Sequence, residues 1–238
     1  MKLSELIIFE NENLVAVNKP SGLLSIPDRE GKEISLKEIL LEKYPGIFTV
    51  HRLDRETSGL IIFAKNSAAH RHFSAQFENR KSVKIYNGLV VGSLLQKEGV
   101  MDAPIAENMV KRGTMIIHRR GKQAITDYKV LDDFKIFSWL QFQIHTGRTH
   151  QIRVHAKELG HPLACDALYG DGKPLFLSAF KSKFKLSKDV LEEKPLLSRL
   201  ALHAFQLQIE DISGATILLE APLHKDLRAT LQQLEKRK

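Results

Sequence analysis

His51-Arg52-Leu53-Asp54-Arg55-Glu56-Thr57-Ser58-Gly59 sets one carboxylate between two guanidinium groups, directly ahead of the apolar run Leu60-Ile61-Ile62-Phe63-Ala64. A charged turn followed by β-branched and aromatic residues predicts a loop that delivers its side chains to the mouth of a buried strand over 59–64. A guanidinium beside a carboxylate favours the ionised form. An ionised, positioned carboxylate is also what attack on a sugar carbon needs. Taken alone, Arg-x-Asp-Arg is equally a salt-bridged turn.

Working outward, Ile7-Ile8-Phe9 and Leu14-Val15-Ala16-Val17 read as strands, the second closed by the turn residues of Asn18-Lys19-Pro20-Ser21-Gly22. Residues 35–43 read as a short helix stopped before Pro45. Residues 67–79 read as a helix with Ala69, Phe73, Gln76 and Phe77 on one stripe. Strands are expected at 85–91, 124–130 and 138–144. A helix follows over 149–159, with Ile152, Ala156 and Leu159 aligned and Gly160 ending it. Residues 171–198 form a Lys-rich insertion (Lys181, Lys183, Lys185, Lys188). Strands at 201–209 and 216–220 and a helix from about Lys225 close the chain. Many strands, few helices and no strict alternation predict an α+β fold.

The chain has 238 residues and a formal net charge of +8. The whole surplus lies in residues 51–160, which carry 18 basic and 10 acidic side chains. Such a segment suits a polyanion. One cysteine, Cys165, excludes an internal disulfide framework and any Cys-rich zinc site. No apolar run approaches the ~20 residues of a membrane-spanning helix. A cytoplasmic protein away from the membrane is expected. Phosphate-loop, dinucleotide and His-Glu-x-x-His motifs are absent from the sequence. His145, His150 and His155 recur every five residues, out of phase on a helix, so they read as structural or RNA-facing rather than metal ligands. No metal and no cofactor is expected.

Two further stretches carry chemistry. In His145-Thr146-Gly147-Arg148-Thr149-His150-Gln151-Ile152-Arg153-Val154-His155, Arg148 stands at the mouth of a helix, where N–H groups and the macrodipole favour an anion. Lys84-Ile85-Tyr86 places in a strand an aromatic ring able to stack on a base.

Together these residues resemble the RluA family of pseudouridine synthases. Asn18 to Leu23, His51 to Gly59, Lys84-x-Tyr86, Thr146 to His155, Asp166 to Gly170 and Leu202-His203-Ala204 occur in the family's order. Gly88 stands where alanine is common and Gln123 where proline is common. The resemblance implies the pseudouridine synthase fold, a mostly antiparallel mixed sheet with flanking helices and a central basic cleft. It implies one catalytic domain over 1–238 with its core at about 10–222, lacking a separate N-terminal S4 RNA-binding module. By the same resemblance Asp54 is the catalytic aspartate, Tyr86 the ring on the uracil, and Arg148 the cation paired with Asp54. Arg52 enters the RNA stack where the target nucleotide flips out.

The expected activity is isomerisation of specific uridines in tRNA or rRNA by a monomer that flips the base at a cost of a few kcal/mol. Arg55, His150, Arg153, Arg119, Arg120 and Lys122 are the further candidate RNA contacts. Lys111-Arg112 and Arg119-Arg120-Gly121-Lys122 flank a short apolar segment and predict a basic hairpin or loop. Two other readings remain: an RNA-binding module without catalysis, and a hydrolase of nucleosides, which needs a second placed carboxylate.

Overall fold

A computed structural model describes residues 2–28, 30–181, 184 and 192–238. Lys183, Lys185 and Lys188 of the expected insertion lie outside the described residues. In chain order the elements are α1 (Leu3–Leu6), β1 (Ile7–Glu10), β2 (Leu14–Lys19), α2 (Leu36–Lys43), β3 (Phe48–Thr49), β4 (Ser58–Ala64), α3 (Ser67–Glu78) and β5 (Val83–Val91). There follow β6 (Glu98–Asp102), β7 (Ile105–Glu107), β8 (Met115–Ile117), β9 (Ile125–Asp133), β10 (Phe137–Ile144), α4 (Gln151–Glu158), β11 (Leu202–Glu210), β12 (Thr216–Glu220) and α5 (Lys225–Glu235). The fold is α+β, with a large, mostly antiparallel sheet and few helices.

The chain forms two compact units, and β5 and β10 each run from one into the other. The first unit comprises Met1–Tyr86, Gln143–Thr146 and His203–Pro222. Its strands lie in the order β1-β2-β4-β11, with β3 on β4 and β12 on β11. Both β2 and β4 are buried at every residue, which is why their sequences read as apolar runs rather than alternating ones. The parallel pairing of β4 with β11 joins Ser58 to His203 and Gly59 to Ala204. Gly59 has φ +109°, and a Cβ there would stand 2.2 Å from the Ala204 carbonyl oxygen. Only glycine permits that approach. Ser35 caps α2 through a capping box with Glu38, and Asn66 caps α3 by accepting from the Ala69 N–H.

The second unit comprises Asn87–Phe142, Gly147–Leu202 and Leu223–Lys238. In it β10, β9 and β6 are successive neighbours. A separate ribbon pairs β7 with β8, Ile105 opposite Ile117. The expected basic hairpin is therefore a real ribbon, but its two cation clusters sit at opposite ends of β8. Lys111 and Arg112 lie in the exposed tip beside Met109 and Val110. Arg119, Arg120 and Lys122 lie in the turn beyond, where Gly121 packs on the Ile105 backbone. The strand expected at 124–130 extends to Asp133, and β6 gave no apolar signal because its Val100 is exposed. Gly160, with φ +84°, ends α4 as expected, donating to the Lys157 carbonyl while the His161 N–H reaches Ala156.

Candidate active site

Asp54 sits in the loop that enters β4. Its carbonyl accepts the Thr57 N–H at 3.1 Å, closing a turn that presents the carboxylate. Leu53 is buried in the core beneath it. A second stretch of chain, Lys19 to Ser25, fastens this loop mainly by side chains that bond the loop's own backbone groups. The Ser25 hydroxyl donates to the Leu53 carbonyl at 2.8 Å and accepts the Leu53 N–H at 3.1 Å. Ser21 Oγ donates to the Glu56 carbonyl at 2.6 Å, and the Gly22 N–H to the Arg55 carbonyl at 2.9 Å. Lys19 is fully buried, and its Nζ donates to the carbonyls of Pro20 (3.0 Å), Leu23 (2.7 Å) and Arg55 (3.0 Å). An ammonium buried this deeply is tolerable only because its donors meet acceptors.

His51 closes the other side of the loop. Its Nε2 accepts the Ile62 N–H at 3.2 Å, and its ring stacks on Phe77 at 4.5 Å and 15°. Desolvation, helped by the charge of Lys84, pushes its pKa to about 3, so the imidazole is neutral. Tyr86, on β5, packs against the same core. Burial and the charge of Asp54 together push its phenol well above the usual tyrosine range. The structure thus brings Asp54 and Tyr86 within electrostatic reach of each other. Arg52 is exposed beside them, and Arg55, also exposed, donates to the Gly22 carbonyl at 3.1 Å and to Glu33 at 2.8 Å.

The second expected motif belongs to the other unit. There the Arg148 N–H is capped by Gln151 Oε1 at 3.0 Å, and Arg148 Nε donates to the Gln123 carbonyl at 3.0 Å. Gln123, where the family commonly has proline, therefore does bear on a candidate residue, through its backbone. His150 adopts the left-handed region (φ 55°) at the start of α4, and its Nδ1 bonds the Tyr169 hydroxyl at 2.8 Å. The spacing predicts one apolar stripe on α4, yet Gln151 to Ala156 are all buried. The polar members are tolerated because each has partners. Gln151 Nε2 donates to Thr126 Oγ1 at 2.9 Å, Thr126 meets His155 Nδ1 at 2.9 Å, and His155 Nε2 donates to the Ala103 carbonyl at 3.0 Å. Burial holds His155 below the ordinary histidine range. Among the described residues no group of three or more His, Cys, Asp or Glu could hold a metal ion.

The family model described as RNA pseudouridylate synthase matches residues 13–158. A ribosomal large subunit pseudouridine synthase D from Nitrosomonas europaea is 37% identical over 235 residues, covering 96% of this chain and 64% of that protein. The protein of the same name from Haemophilus ducreyi is 34% identical over 236 residues, covering 96% and 70%. This chain belongs to the RNA pseudouridylate synthase family. Among solved structures, human RNA pseudouridylate synthase domain containing 4 superposes with a TM-score of 0.75 at 26% identity, covering 98% of this chain and 94% of that one. Against the Nitrosomonas relative, then, the chain spans a little under two thirds of the longer protein's length.

Within this pseudouridylate synthase family member, one expected RNA contact needs correction. Arg153 is only 4% exposed. Its Nε and Nη2 donate to the two carboxylate oxygens of Asp166 at 2.8 and 2.6 Å. Burial works to raise the Asp166 pKa, but the Arg153 bonds and charge outweigh it and hold the carboxyl below its ordinary value. Arg153 is a structural ion pair inside the second unit, not a surface contact for RNA. Arg119, Arg120 and Lys122 are exposed. Asn18 to Leu23 is a motif of the sequence whose task, fastening the Asp54 loop, appears only in the structure. A lysine closing the apolar run Leu14 to Val17, just before a Pro-Ser-Gly turn, is the signal the sequence offers.

Proposed function

We propose that this chain converts uridine to pseudouridine in structured RNA, with Asp54 acting at C1′ of the target nucleotide. The observation that carries the proposal is Asp54 on a rigidly fastened loop, within electrostatic reach of the partly buried Tyr86, in a member of this family. The reaction breaks N1–C1′, turns the base and joins C5 to C1′, after which the C5 proton leaves. Asp54 starts it either by bonding to C1′ or by taking a proton that leaves a glycal. Both routes neutralise the carboxylate. Because the Asp54 charge is one of the two things raising the Tyr86 phenol, its neutralisation makes Tyr86 easier to ionise at the stage when the C5 proton must go. The ring meanwhile packs on the uracil. By the family resemblance Arg148 supplies a cation to the reaction, and Arg52 fills the stack that the flipped nucleotide leaves.

Large-subunit rRNA is the substrate favoured by the names of the relatives, with tRNA the second candidate. A monomer in the cytoplasm is the reading, the single cysteine suiting a reducing compartment. Tritium release from [5-³H]uridine-labelled rRNA and tRNA transcripts tests the activity. Label should enter water while the RNA stays intact and no free uracil appears. Binding without release would leave an RNA-binding module, and free uracil would indicate a hydrolase.

A further inference from the structure

We propose that Lys84, with Arg80 beside it, binds a backbone phosphate of the RNA next to the nucleotide that occupies Tyr86. This rests on the reading of the site as a uridine isomerase. Lys84 and Tyr86 are two residues apart on β5, so their side chains leave the same face about 6.8 Å apart along the strand. The Lys84 ammonium lies 5.8 Å from the centre of the Phe77 ring, whose stacking partner is His51 of the catalytic loop. Arg80 arrives from the end of α3, where it takes the left-handed region (φ 58°) that turns the chain toward β5.

Other lysines in protected positions show what is unusual here. Lys19 donates to three carbonyls. Lys65 reaches Glu10 at 2.9 Å and the Asn11 carbonyl at 2.8 Å. Among the described residues Lys84 has neither a carboxylate nor a hydrogen-bond acceptor, only the face of Phe77. Its amine is pushed below the usual lysine range, first by burial and then by Arg80. A partly desolvated ammonium beside a second cation costs folding free energy. An RNA phosphate supplies the acceptor oxygens and the opposing charge that both cations lack. Its position on the face that carries Tyr86 ties that phosphate to the nucleotide being turned over.

Lys84→Met keeps the stem over Phe77 and removes the charge, and Lys84→Arg keeps the charge. Dissociation constants for [5-³H]uridine-labelled large-subunit rRNA transcript are measured across salt, with KM and kcat from tritium release. Lys84→Met should lower the slope of log affinity against log salt by about 0.7–0.9. It should weaken binding and raise KM about three- to tenfold at fixed salt, on the same single-contact arithmetic. The value of kcat should stay within about twofold, since binding is lost without a change at the reacting atoms. Lys84→Arg should restore slope and affinity. An unchanged slope overturns the subsite. A lowered kcat at unchanged affinity also overturns it, because Lys84 then acts on His51 or Tyr86 instead. If the wild-type chain binds the transcript without releasing tritium while Lys84→Met still loses the slope, the phosphate subsite stands and the isomerase reading falls.

Discussion

The loop around Asp54 and the segment from Arg148 to His155 were equally legible as motifs, yet they are built in opposite ways. The Asp54 loop leaves Arg52, Arg55 and Glu56 at the surface and is fastened by hydroxyls and one lysine bonded to main-chain carbonyls. The Arg148 segment turns inward. Six successive residues of α4 are buried, among them an arginine paired bidentately with Asp166 and a histidine held at both ring nitrogens. Charge in a motif is thus a poor guide to exposure. Backbone-directed fastening leaves side chains available for chemistry, whereas side-chain pairing consumes them.

Substitutions can break that contrast. Asp54→Asn should abolish tritium release, by at least about a thousandfold or ~4 kcal/mol of transition-state stabilisation, while RNA affinity stays within a few fold. Tyr86→Phe keeps the ring and should lower turnover by about 10²–10⁴-fold, the usual worth of a positioned proton-transfer group, with little loss of affinity. In the second segment the large effect should be on stability instead. Arg153→Met leaves a buried carboxylate unpaired and should cost about 3–5 kcal/mol in chemical denaturation. The salt slope of RNA binding should be unchanged, whereas a surface contact would behave in reverse.

The same ion pair sets a pH dependence. The folded Asp166 carboxyl is held below its ordinary value of 3.8. The unfolded chain therefore takes up that proton first. The stabilisation is fully present above about pH 4–5 and is lost as pH falls through the lower folded value. Asp166→Asn should be destabilised already at neutral pH and should show a shallower fall in stability below pH 4, read by denaturant melts across pH.

Smaller effects sharpen the comparison. Arg148→Ala should lower kcat about a hundredfold and Arg148→Lys about tenfold, because a point charge cannot replace the planar fork. A fully active Lys variant would make Arg148 a phosphate contact. Replacing Arg119, Arg120 and Lys122 with alanine should flatten the salt slope by roughly two units and spare turnover at saturating RNA. Because Lys111 and Arg112 lie at the other end of the ribbon, their removal should add to that change independently.

Local chemistry made much of the fold readable. Leu14 to Val17 and Leu60 to Ala64 are apolar because β2 and β4 are covered on both faces, and Ser35, Gly160 and Pro45 punctuate the helices where their backbone preferences require. The ribbon and edge strand were harder, because β6 buries little and β7 and β8 are three residues each. Asp54, Tyr86 and Arg148 stood out by residue type and spacing, which are properties of the chain itself. Lys19, His51 and Lys84 lie in the same motifs, but the carbonyls, the amide and the ring that they meet are not legible from spacing.

The sequence by itself determined the apolar periodicity, the turn and cap residues, the concentration of positive charge in residues 51–160, and the family resemblance. Tertiary structure alone decided that Arg153 is consumed by Asp166, that Gly59 must be glycine because Ala204 approaches it, and that Lys84 faces a ring rather than an acceptor. Each depends on a partner that lies outside the residue's own helix or strand, whether near in sequence, as Phe77 is to Lys84, or far, as Ala204 is from Gly59. Periodicity records only whether a residue faces the interior, and the partner it meets there follows from how strands and helices are brought together.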